Sequence, residues 1–125
     1  MSAWEEKRQY MRACFRLKVE CRGKSYWQYV ETRDISAGGM FVLTDKVEPA
    51  KTKIEIMFEF EDHGQKKFIY AEGMVAWSRG KAFKNDAGEV IPPGMGIQFT
   101  KITPASGREY IDQMCKKAQE EKKDA

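Results

Sequence analysis

Lys53-Ile54-Glu55-Ile56-Met57-Phe58-Glu59-Phe60 is the stretch that decides the fold. Ile54, Ile56, Phe58 and Phe60 alternate with Lys53, Glu55, Met57 and Glu59. A period of two gathers the apolar residues on one face of an extended chain, whereas a helix would scatter them around its circumference. The segment predicts a half-buried strand. Upstream, residues 13–21 repeat the pattern, with Phe15, Leu17, Val19 and Cys21 on one side and Cys14, Arg16, Lys18 and Glu20 on the other. Arg22-Gly-Lys-Ser25 is turn material, and residues 26–33 are rich in β-formers, which makes them a hairpin partner. Asp34-Ile-Ser-Ala-Gly-Gly39 predicts a turn, and Met40-Phe-Val-Leu43 a short apolar strand. Downstream, His63-Gly64 predicts a turn into a long strand over residues 67–78. Residues 80–94 carry Asn85-Asp86, Gly88 and Pro92-Pro93 and predict a loop, after which Met95, Ile97 and Phe99 alternate in a final strand.

Only the C-terminal end has helical spacing. Thr103-Pro104 suits a helix start, and Ser106 with Glu109 has the spacing of a capping box. Tyr110, Ile111, Met114, Cys115 and Ala118 then form an apolar stripe, while residues 119–125 are polar. Several strands followed by one helix predict an antiparallel β-barrel or sandwich with the helix docked on it.

The chain has 125 residues, of which 42% are hydrophobic, enough for one domain with a real core. No apolar run approaches the roughly 20 residues of a membrane-spanning helix, so membrane insertion is not expected. No secretory signal follows Met1, and the three cysteines, Cys14, Cys21 and Cys115, are odd in number and widely spaced. A reduced, cytoplasmic protein is the expectation. Lys and Arg total 22 against 19 Asp and Glu, a net charge of +3, too mild for a protein that neutralises many phosphates of a nucleic acid polymer. Within residues 5–16, however, Lys7, Arg8, Arg12 and Arg16 face only Glu5 and Glu6. A local basic cluster on a nearly balanced chain fits a small anionic ligand.

The residues of known catalytic and metal chemistries do not assemble. His63 is the single histidine and sits in a turn, where a solvated role is expected. There is no Cys-x-x-Cys, His-Glu-x-x-His or Walker loop. Cys14 and Cys21 fall on opposite faces of their strand, Cys115 belongs to the apolar stripe, and Glu61-Asp62 adjoins a turn. No catalytic site and no metal site are expected.

Two motifs remain. Arg8-Gln-Tyr-Met-Arg12 is an Arg-x-x-x-Arg pair before the first strand, and Asp34-Ile-Ser-Ala-Gly-Gly39 is an Asp-x-Ser-x-x-Gly turn between the second and third. In this order, in a small β protein with a C-terminal helix, they resemble the motifs of the PilZ domain family, bacterial receptors for cyclic di-GMP. Gly39-Met-Phe-Val42, Gly73-Met-Val-Ala-Trp77 and Gly94-Met-Gly-Ile-Gln-Phe99 are similar to the family's later strand signatures. The resemblance covers nearly the whole chain. It implies a six-stranded antiparallel barrel followed by a helix, with residues 1–12 as a ligand-binding arm, 13–102 as the barrel and 103–125 as the helix and polar tail. It implies no catalysis and no cofactor, with cyclic di-GMP as the ligand.

The residue chemistry suits that ligand, which offers two phosphodiesters and two guanines. Arg8 and Arg12 carry guanidiniums that pair bidentately with phosphate or with guanine O6 and N7, and stack on a purine. Asp34 is an acceptor for the N1–H and N2–H₂ edge of guanine, and Ser36 donates or accepts. Gly39 allows a positive φ or a close ligand approach, and Gly38 adds latitude. In the family, a basic residue at the position of Lys7 goes with an intercalated pair of ligand molecules, whose four negative charges an extra cation offsets. The resemblance implies a stand-alone receptor whose arm folds over the barrel with ligand and presents a new surface to a downstream protein. Two other readings compete. One is a PilZ-like protein–protein adaptor that binds no nucleotide. The other is a barrel that stacks single-stranded nucleic acid on Tyr26, Trp27 and Tyr29.

Overall fold

The alternation around Ile56 is realised in the computed structural model, which describes residues 16–62 and 64–124. Strand β4 (Lys53–Asp62) buries Ile54, Ile56, Phe58 and Phe60. It lies between β1 (Lys18–Arg22) and β5 (Gln65–Arg79), with Ile56 opposite both Cys21 and Ala71. With β2 (Trp27–Ser36), β3 (Gly39–Leu43) and β8 (Gly94–Thr103), these strands close an antiparallel barrel of order β1-β2-β3-β8-β5-β4. Closure leaves the barrel no free sheet edge and settles the choice between barrel and sandwich.

Helix α1 (Gly107–Asp124) packs against β2 and β8, and its stripe docks as the spacing predicts. Ile111 and Cys115 are fully buried, and Tyr110, Met114 and Ala118 are half-buried against the core. The helix begins at Gly107, with Ser106 immediately before it and Pro104 in the preceding turn. Gly107 lets the helix start sit close to the barrel, since a Cβ there would meet Ile102 and Ile69.

Three local expectations are corrected. The predicted loop over residues 80–94 contains a two-stranded ribbon, β6 (Phe83–Lys84) and β7 (Val90–Ile91), whose strands are too short to show alternation. Within the described residues the first strand begins at Lys18: Arg16 and Leu17 precede it, and the Leu17 N–H bonds the Thr32 hydroxyl oxygen at 3.1 Å. The predicted turn over residues 34–39 is tighter, because Asp34, Ile35 and Ser36 still belong to β2 and Gly39 opens β3. Cys14, His63 and the whole Arg-x-x-x-Arg segment lie outside the described residues.

Of the three register shifts in the barrel ladders, two shape the outer face beside the β2–β3 turn. In β2 the register slips between Thr32, opposite Val42, and Asp34, opposite Phe41. One extra residue reverses the alternation, so Thr32 and Ile35 both point inward while Arg33 and Asp34 both lie on the outer face. In β5 the same happens between Val75 and Trp77, which leaves Ala76 and Trp77 outside.

Candidate functional site

The bulges bring four residues into one row across the outer face: Asp34 pairs with Phe41, Phe41 with Gly96, and Gly96 with Trp77. Gly96 is the gap in this row. A Cβ there would collide with the Trp77 indole nitrogen, so the missing side chain lets the indole lie across β8. Its ring reaches Phe41 on β3, centroid to centroid 5.0 Å and tilted by 31°. Gly94, opposite Arg79 on the next outward row, is crowded in the same way by Phe41 and the Val42 carbonyl. Gly96 thus leaves room on the outer face of β8 for Trp77 of β5, and Gly94 for Phe41 of β3.

Above this surface is a cleft of about 450 Å³. Asp34, Ser36, Gly38 and Gly39 line it on the β2–β3 side, and Trp77 and Arg79 on the β5 side. Arg33, Gln98 and Arg108 complete the polar lining, so three guanidiniums face a single Asp carboxylate. That balance suits an anionic occupant with at least one hydrogen-bond donor edge.

The β2–β3 turn is held from within. The Ser36 hydroxyl oxygen accepts the Gly38 N–H at 3.1 Å. The Gly38 carbonyl accepts the Phe99 N–H at 2.9 Å, and the Ala37 carbonyl accepts Arg108 Nη1 at 2.8 Å. Below it, the Cys115 thiol donates to the Ile35 carbonyl at 3.2 Å, which ties α1 to β2 itself.

Asp34, Ser36, Gly38 and Gly39 are therefore brought together on one cleft wall, while Lys7, Arg8 and Arg12 lie outside the described residues. The positive φ expected as one option for Gly39 is corrected. Its backbone is not left-handed; positive φ is found at Lys51, Gly64 and Gly88. Gly39 is required because a Cβ would run into the Ile97 carbonyl on β8. Close packing of β3 on β8 is therefore one reason for a glycine here, internal to the barrel.

Arg33, Trp77, Arg79, Gln98 and Arg108 line the cleft without belonging to either motif. They come from β2, β5, β8 and α1, and no local motif joins them. One signal was present: two glycines spaced by two on a strand leave a bare stripe, and a tryptophan on a neighbouring strand is a natural side chain to fill it.

The aromatic surface at β1–β2 is different in kind. Trp27 and Tyr29 are 64% and 78% exposed, but the Trp27 indole N–H bonds Glu20 and the Arg22 guanidinium lies 4.4 Å over its ring. One face of that ring is taken, which weakens it as a platform for stacked bases. Among the described residues no group of three or more His, Cys, Asp or Glu is placed to hold a metal, and no helix is long and apolar enough to cross a membrane.

Comparison with known proteins agrees with this architecture. Residues 6–117 match the PilZ domain model. The fold is similar to the inhibitor of motility MotI/DgrA of Bacillus subtilis, with a TM-score of 0.73 and 21% identity over 91% of this chain and 52% of that one. The chain thus spans about half the length of that protein. It is also similar to the PilZ domain of YcgR from Escherichia coli with c-di-GMP, with a TM-score of 0.61 and 15% identity over 93% and 94% of the two chains. No curated protein sequence matches the chain significantly. With the model matched from residue 6 to residue 117 and the barrel closed in six strands, this chain belongs to the PilZ domain family.

Proposed function

We propose that this chain is a cyclic di-GMP receptor that takes the dinucleotide between its N-terminal segment and the β2–β3 turn. The observation that carries the reading is the convergence of Asp34, Ser36, Gly38 and Gly39 on one cleft rich in guanidinium groups. In this reading Asp34 accepts from the guanine Watson–Crick edge, and Arg8 and Arg12 bind phosphate and stack on a guanine. Lys7 supplies the extra cation for an intercalated pair of ligand molecules. In this reading residues 1–12 close over the ligand as an arm and create a surface for a downstream protein. The chain acts by ligand-controlled association in the cytoplasm, without catalysis. The PilZ domain of YcgR, a similar fold with c-di-GMP, supports the choice of ligand.

One observation favours the adaptor reading, in which no nucleotide binds. Ser36 and Gly39 already serve the fold, so most of the Asp-x-Ser-x-x-Gly motif has a structural reason to be present. Asp34 decides between the two. Displacement of labelled cyclic di-GMP by unlabelled cyclic di-GMP and cyclic di-AMP tests it, since adenine lacks the N1–H and N2–H₂ donors. Strong preference for cyclic di-GMP in the wild-type chain, lost in Asp34→Ala, supports the receptor. Equal competition by both dinucleotides refutes the role of Asp34, and absence of binding leaves the adaptor.

A further inference from the structure

The three guanidiniums lining the cleft are committed differently. Arg108 donates Nη1 to the Ala37 carbonyl at 2.8 Å, and Arg33 is exposed on its bulge. Arg79 is half-buried between two rings, its guanidinium carbon 4.6 Å from the centre of Phe83 and 5.1 Å from that of Trp77. Its Nη1 is buried and has no hydrogen-bond partner among the described residues. A buried donor of a charged group without an acceptor is costly, and aromatic faces offset only part of that cost.

We propose that Arg79 is an anion-binding residue of the cleft, contacting a ligand phosphodiester directly from between Trp77 and Phe83. The proposal rests on the cyclic di-GMP reading of the cleft and adds to it a residue outside both motifs. The geometry favours Arg79 over its two neighbours. Arg108 has a donor committed to the turn, and Arg33 must order a solvated side chain to bind. Arg79 is already oriented by the rings, and its cross-strand partner on β8 is Gly94, which carries no side chain to compete for the guanidinium. A charged donor that is ordered beforehand and lacks an acceptor binds an anion with little further loss of freedom. The planar guanidinium can slide between the rings as it turns a donor edge to the phosphate, which an ammonium group cannot imitate.

Calorimetric titration with cyclic di-GMP of the wild-type chain, Arg79→Met and Arg79→Lys, at low and high salt, tests this. Methionine keeps an apolar stem between the rings and removes the charge, so a packing role alone leaves affinity intact. Direct contact predicts at least tenfold weaker binding for Arg79→Met, a smaller loss for Arg79→Lys, and a difference that narrows at high salt, with melting curves as the check on folding. Both variants within twofold of wild type would overturn the role of Arg79 while the cyclic di-GMP reading stands. No binding by the wild-type chain itself overturns both.

Discussion

Arg108, in the first turn of α1, donates from Nη1 to the carbonyl of Ala37 at 2.8 Å, across 71 positions of sequence. The bond fastens the C-terminal helix to the two-residue turn between β2 and β3, at the edge of the cleft. A charge-assisted hydrogen bond of this kind contributes roughly 1.5–3 kcal/mol. Arg108→Met should lower stability by about that amount and speed hydrogen exchange of the turn amides, the Gly38 N–H above all. A variant with wild-type exchange at Gly38 would show that the turn holds itself.

Gly39→Ala should destabilise the barrel whether or not ligand is present. The added Cβ meets the Ile97 carbonyl, which belongs to a ladder that cannot retreat without breaking β3–β8 pairing. Overpacking of this sort costs about 1–3 kcal/mol. Urea denaturation checks it; an unchanged midpoint would return Gly39 to a role in ligand approach.

Glu48 is buried, and its Oε2 accepts the N–H groups of Ser25 and Tyr26 at 2.9 and 3.0 Å, which closes the β1–β2 hairpin. Glu48→Ala leaves two donors without their acceptor and should cost at least about 2 kcal/mol. Glu48→Gln keeps an acceptor and removes a buried charge, so it should stay within about 1 kcal/mol of wild type. Equal losses in both variants would mean that the charge, and not the pair of hydrogen bonds, is what the hairpin needs.

Burial pushes the Cys21 thiol up to about 12 from its ordinary 9.0. The unfolded chain loses this proton at lower pH than the folded one, so the stability tied to Cys21 is complete below pH 9 and declines as pH rises toward 12. Chemical denaturation of the wild-type chain and Cys21→Val between pH 8 and about pH 11 isolates the contribution by difference. The wild type should lose stability more steeply with pH than the variant; parallel curves would contradict the shift.

The barrel strands and the helix were legible because their signals are local. The alternation at Ile54–Ile56–Phe58–Phe60 and the stripe at Ile111 and Cys115 each repeat often enough to fix a period. The bulges at Arg33 and Ala76 were not legible, since an extra residue in a strand is defined only by its partner across the ladder. The ribbon at Phe83–Lys84 and Val90–Ile91 is shorter than any period that could reveal it. The same division runs through the cleft. The Asp34–Gly39 wall is one contiguous motif, whereas Trp77, Arg79 and Arg108 meet it only once the barrel closes and the helix docks.

The most direct test of the receptor account is calorimetric titration of the wild-type chain, Arg8→Ala and Arg12→Ala with cyclic di-GMP. Neither arginine lies on the alternating apolar positions that build the barrel, so both variants should keep the wild-type far-UV spectrum. Loss of a hydrogen-bonded charge partner costs about 2–5 kcal/mol, so each variant should bind tens- to thousands-fold more weakly than a saturable wild-type chain. Wild-type affinity in both variants, or no binding by the wild-type chain at high ligand, would contradict the account.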